Sequence, residues 1–117
     1  MRMMIATAIA VMTASPGWAE LVKVNEQSEF VQLVQGKTLT RPLVKLTVTP
    51  DGQIEGRGSF WDVEGTWSWR AGYFCRDLFW GGDALGYNCQ EVQASADGQI
   101  KFTSDRGAGD SAMFSLR

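Results

Sequence analysis

The chain has 117 residues, with 11 basic and 13 acidic side chains, a formal charge of −2 and no histidine. That length allows one domain at most. The slight acidity excludes a nucleic-acid partner, which needs a basic stripe, and the missing histidine excludes Ser-His-Asp and Cys-His catalysis and histidine-held metal or haem.

Arg2 supplies a short positive start, and Met3 to Met12, "MMIATAIAVM", forms an apolar run of signal-peptide length. That run is too short to cross a bilayer as a helix. "SPGWAE" follows, with Pro16 and Gly17 as helix breakers and with Gly17 and Ala19 as the small residues at −3 and −1 of a cleavage site. This pattern predicts a signal peptide over residues 1–19 and a single exported domain over 20–117, in the periplasm or secreted. No cysteine follows the apolar run, so a lipid anchor is not indicated. No second apolar run occurs, so no membrane span is expected in the mature chain.

"NEQSEFVQLVQG", Asn25 to Gly36, is the one helical pattern. Phe30, Leu33 and Val34 fall on one helical face. Asn25 is placed to cap the start and Gly36 to end the helix. Glu26 and Glu29 sit where the helix dipole favours acids.

After Gly36 the texture becomes that of strands. "LVKLTVT" alternates Val44, Leu46 and Val48 against Leu43, Lys45 and Thr47, with Pro42 before it at a strand edge. "PDGQ" turns the chain and Ile54 begins another strand. "GTWSWR" alternates Trp67 and Trp69 with polar residues, "RAG" turns, and "YFCRDLFW" and "CQEVQA" flank a Gly-rich connection. "ADGQ" turns again before "IKFTS" and "AMFSL". Asp51–Gly52–Gln53–Ile54 is echoed by Asp97–Gly98–Gln99–Ile100; Asp-Gly between alternating strands marks a hairpin. Seven or eight short strands after one helix predict a small antiparallel up-and-down β-barrel with the helix over one end. Gly56, Gly58 and Gly65 are expected where strands bend or pack closely. A β-sandwich is the alternative fold.

Cys75 and Cys89 are the only cysteines. In an exported chain they are expected to form a disulfide. The loop so closed contributes about 3 kcal/mol by chain entropy. Their spacing is not that of a CxxC redox pair, and two cysteines without histidine do not make a zinc site.

"GKTLT", a DG turn, "GTWSWRAGYFCR" and the later cysteine in "NCQEV" resemble a group of small exported bacterial proteins with lipocalin-like barrels and no assigned activity. The match runs from Gly36 to Val92. Such relatives can carry enzyme labels such as dihydrodipicolinate reductase, which implies a dinucleotide fold. This chain has no GxGxxG between a strand and a helix, so the resemblance implies a fold and a compartment but no activity.

No catalytic residue, cofactor or metal ligand is expected. Asp62, Glu64, Asp77 and Asp83 surround the aromatic region, and a carboxylate pair acting on a sugar is the third-ranked reading. "DVEGT" and "GGDALGYN" do not match a calcium loop. The aromatics carry more signal. Trp61, Trp67, Trp69, Phe74, Phe79, Trp80 and Tyr87 crowd into one stretch, either filling a barrel core or walling a ligand cavity. Alternation puts Phe74, Arg76, Leu78 and Trp80 on one face and Tyr73, Cys75, Asp77 and Phe79 on the other, with large apolar groups on both. Arg76 pairs Asp77 or Asp83, or meets an acidic ligand. The candidate ligand residues are Trp67, Trp69, Arg76, Trp80 and Tyr87. The leading expectation is a barrel that binds a small amphipathic ligand or an envelope partner, and the rival is a solid-core accessory domain that works through its surface.

Overall fold

The computed structural model describes residues 19–117. The expected signal segment lies outside them except for Ala19. The elements are β1 (Val22–Lys23), α1 (Gln27–Val34), β2 (Leu39–Arg41), β3 (Val44–Val48), β4 (Gln53–Gly58), β5 (Trp61–Arg70), β6 (Tyr73–Trp80), β7 (Asp83–Ala84), β8 (Asn88–Ala94), β9 (Gln99–Thr103), a 3-10 turn (Asp105–Gly107) and β10 (Ser111–Leu116).

Eight of these strands close into an antiparallel up-and-down barrel. From β2 to β6 and from β8 to β10 each strand pairs with its neighbour in the chain, β10 returns to β2, and β6 meets β8. The two-residue strands β1 and β7 add to the free edges of β8 and β6. The expected barrel is the observed one, and the Asp-Gly turns join β3 to β4 and β8 to β9. Closure leaves few unpaired edges and gives each strand one inner and one outer face. Val44, Leu46 and Val48 point in, as their alternation requires, together with Ile54 of β4 and Val63, Trp67 and Trp69 of β5.

Up-and-down topology puts successive turns at opposite ends. The β3–β4, β5–β6 and β8–β9 turns share one end with α1. Helix α1 is short, and its N-cap, Glu26, makes no side-chain capping bond. Asn25, the expected cap, instead offers its backbone carbonyl to the indole N–H of Trp69 at 3.2 Å. The helix is therefore held by packing more than by capping. Phe30 and Val34 are fully buried and Leu33 packs beside them. Phe30 enters the barrel end among Trp67, Trp69, Phe74 and Phe102, with ring centroids 5.2, 5.2, 5.0 and 6.3 Å away. Gly36, at φ 71°, lets the chain leave the helix toward β2.

Gly56 and Gly65 sit on inner faces where strands approach closely. A Cβ at Gly56 would lie 2.1 Å from the Lys45 carbonyl oxygen, and one at Gly65 would lie 2.2 Å from that of Asp77. Both obstacles are backbone in paired strands, which cannot swing aside as a side chain does. Gly65→Ala is therefore expected to destabilise the barrel by about 1–3 kcal/mol, read as a lower urea midpoint with an unchanged slope.

Candidate functional site

The barrel's two ends differ in chemistry. The α1 end is filled by rings. At the other end lie the β2–β3, β4–β5 and β9–β10 turns and the connection from β6 through β7 to β8. Leu43, Phe60, Trp61, Trp80, Leu85 and Tyr87 are exposed there, Phe60 at 82% and Leu43 at 79%. Trp61 meets Trp80 edge to face at 5.4 Å, and Trp80 donates its indole N–H to the Gly58 carbonyl at 2.8 Å. This aromatic rim frames the mouth of the barrel.

Strand β6 resolves the ambiguity of its two faces. Its register sets Arg76 against Trp67 on β5 and Cys75 against Cys89 on β8. Phe74, Arg76, Leu78 and Trp80 therefore face inward, and Tyr73, Cys75, Asp77 and Phe79 face out. Cys75 and Cys89 form a cross-strand disulfide with Cα atoms 3.9 Å apart. The bond ties β6 to β8 where they share only three register pairs, and it indicates a non-reducing compartment.

Between the ring-filled end and the mouth lies a cavity of about 170 Å³. Leu39, Leu46, Val48, Ile54, Phe74, Leu78, Phe102, Ala112 and Phe114 make its walls, and the polar residues among its lining are Arg76 and Gln90. Gln90 donates its amide to Ser104 at 3.0 Å. One Nη of Arg76 donates to the Gly86 carbonyl, so the Gly-rich connection holds the guanidinium from the mouth side. Its Nε is the one buried side-chain polar atom without a hydrogen-bond partner among the described residues. The expected pairing with Asp77 or Asp83 does not form: the one salt bridge among the described residues is Arg57–Asp62 at 3.5 Å. Burial lowers the Arg76 pKa from its ordinary value, and the charge of Asp77 on the outer face partly opposes that shift. The group stays a cation, because a guanidinium does not lose its proton in proteins.

The five candidate ligand residues fall into three places. Arg76 lines the cavity. Trp80 stands at the rim and Tyr87 lies outside the barrel, its hydroxyl 3.6 Å from the Cys89 sulfur. Trp67 and Trp69 belong to the ring cluster at the α1 end, with Trp67 donating to the Thr49 carbonyl at 2.9 Å, and neither is among the residues that line the cavity. Two residues not singled out from sequence belong to the mouth and wall. Gln90 is one. The other is Arg41, whose guanidinium carbon lies 5.7 Å from the centre of the Phe114 ring. Arg41 follows Leu39 at a spacing of two, the signal that would have put it on the inner face.

Asp62 and Glu64 alternate onto the outer face of β5, and Asp77 onto that of β6. Asp105 accepts from the Asn88 amide at 2.8 Å. Among the described residues no three His, Cys, Asp or Glu side chains gather to hold a metal ion, and no helix is long and apolar enough to cross a membrane. Compared with family models, curated proteins and solved structures, the chain matches none.

Proposed function

We propose that this protein is an exported, lipocalin-like carrier or sensor that binds one small amphipathic molecule inside its barrel. The observation that carries the reading is the open apolar cavity beside an inward arginine. Natural cores are close-packed with few voids larger than a water molecule. A void of about 170 Å³ behind an aromatic rim departs from that rule. Apolar walls with a few placed polar groups are the usual makeup of a small-molecule site. The periplasm is the proposed compartment, supported by the disulfide, the signal-like start and the resemblance to small exported barrels.

The void has the scale of an engineered apolar cavity of ~150 Å³ that takes up benzene. Methyl-resolved NMR with benzene should therefore show saturable shifts at Val48, Ile54 and Leu78, whose side chains line it. Ala112→Leu, which grows a side chain into the same space, should abolish them while the rest of the spectrum stays folded. Absence of any shift in the unsubstituted protein would refute an accessible cavity.

The exposed rim favours a second reading, in which the mouth docks on an envelope protein. Phe60, Trp61, Phe79, Gly81 and Gly82 line a groove with Arg57, Asp62 and Glu64 that runs from the rim onto the outer face of β4–β6, and contiguous exposed apolar surface is a common mark of interaction sites. The two readings are compatible, since a carrier must hand over its cargo through its mouth.

A further inference from the structure

Resting on the cavity reading above, we infer that the ligand is a monocarboxylate with a short, compact apolar tail, its head on Arg76 and its tail among Leu46, Ile54, Leu78 and Phe114.

Charge decides the head group. Arg76 is the one charged side chain in the cavity lining, and no salt bridge among the described residues involves it. A half-buried cation with no counter-charge in its wall has lost part of its hydration, and an anion recovers that cost. Nothing else in the lining supplies that anion: the other polar wall residue, Gln90, is neutral and already donates to Ser104.

Geometry decides its shape. The Gly86 carbonyl takes one Nη of Arg76, which fixes the guanidinium and leaves the Nε–H without a partner. Nε–H with the neighbouring Nη2–H forms a planar two-donor edge, and a carboxylate offers two oxygens at the matching spacing. One guanidinium in an apolar wall neutralises one negative charge. A phosphate dianion would leave a second charge buried and unpaired.

Size decides the tail. A cavity of about 170 Å³ lies below the ~300–1,000 Å³ of sites for larger ligands. It suits a ligand of roughly benzene's bulk, scaled from the smaller engineered void that benzene fills. Long-chain fatty acids do not fit inside it. Arg41, over Phe114 at the mouth, places a second positive charge on the way in, which favours the entry of an anion.

The test compares pentanoate with pentan-1-ol, matched in tail and differing in charge, by methyl NMR titration and by the side-chain Nε–H resonance of Arg76. Pentanoate should bind at least tenfold more tightly than the alcohol and should shift the Arg76 Nε–H signal, which the alcohol leaves in place. Arg76→Met should reduce the acid-over-alcohol preference to less than twofold, and Arg76→Lys should restore part of it. The comparison in the unsubstituted protein needs no variant to fold. Equal binding of acid and alcohol, or a preference without movement of the Arg76 signal, overturns the carboxylate assignment and leaves the cavity reading standing. If neither pentyl compound binds and benzene also fails to shift the lining methyls, the cavity reading itself falls.

Discussion

Phe30→Ala is expected to destabilise the protein by about 3–5 kcal/mol, the range for deleting a fully buried aromatic ring. Phe30 has no exposed surface and contacts four other rings at the barrel end. Two costs add. The lost ring gives up its transfer free energy, and the hole it leaves cannot collapse, because Trp67, Phe74 and Phe102 are fixed to paired strands. The loss should also free α1, which has no side-chain cap to hold it when its main packing group is gone. Urea unfolding followed by tryptophan fluorescence should show a lower midpoint, and hydrogen exchange should show α1 opening before the barrel. A stability change below about 1 kcal/mol would mean that the helix does not plug the barrel as described.

Removing the disulfide, by Cys75→Ala with Cys89→Ala, is expected to lower stability by about 2–5 kcal/mol. In a domain of this size that corresponds to a fall in Tm on the order of 10 °C or more. The bond lies at the junction where the sheet closes on itself, and β6 and β8 share only the pairs Phe74–Gln90, Cys75–Cys89 and Arg76–Asn88 there. Two contributions follow. Unfolded conformations regain the freedom that the crosslink removes, and a short seam of three register pairs loses its tie. Arg76 and Gln90 are immediate neighbours of the two cysteines, so the seam is also part of the cavity wall. Intact mass of the unsubstituted protein should lie about 2 Da below the fully reduced value, since two hydrogens leave when the bond forms. Two free thiols in freshly isolated protein, or an unchanged melting curve after reduction, would sink the claim.

Much of the barrel could be read from local pattern. Val44, Leu46 and Val48 alternate against polar neighbours, and period two admits a half-buried strand and little else. The Asp-Gly turns at 51–52 and 97–98 carry their own hairpin chemistry. The spacing of Phe30, Leu33 and Val34 specifies the buried face of α1. The shorter elements were not legible. β1 and β7 have two residues each, too few to show any period, and they exist only because an edge of β8 or β6 is there to pair with. The 3-10 turn after β9 is likewise tied down by tertiary contacts, Asn88 bonding both the backbone and the carboxylate of Asp105.

For the candidate site the division is sharper. The sequence by itself determined that Phe74, Arg76, Leu78 and Trp80 share one face of a strand, because alternate side chains of an extended chain must. Which face turns inward was decided by the tertiary structure. Both faces carry large apolar groups, so burial energy alone barely separates the two orientations of β6. Closure against β5 and β8 separates them: the cysteines pair on the outside, and Arg76 is thereby carried into the interior. The roles of Trp67 and Trp69 divide in the same way. Alternation keeps the two indoles together, but only the docking of Phe30 makes them part of a plug rather than the wall of the cavity. Local pattern sets which side chains travel together, through bond geometry that acts over two or four residues. Where the group arrives depends on contacts between residues far apart in the chain, and no local pattern encodes those.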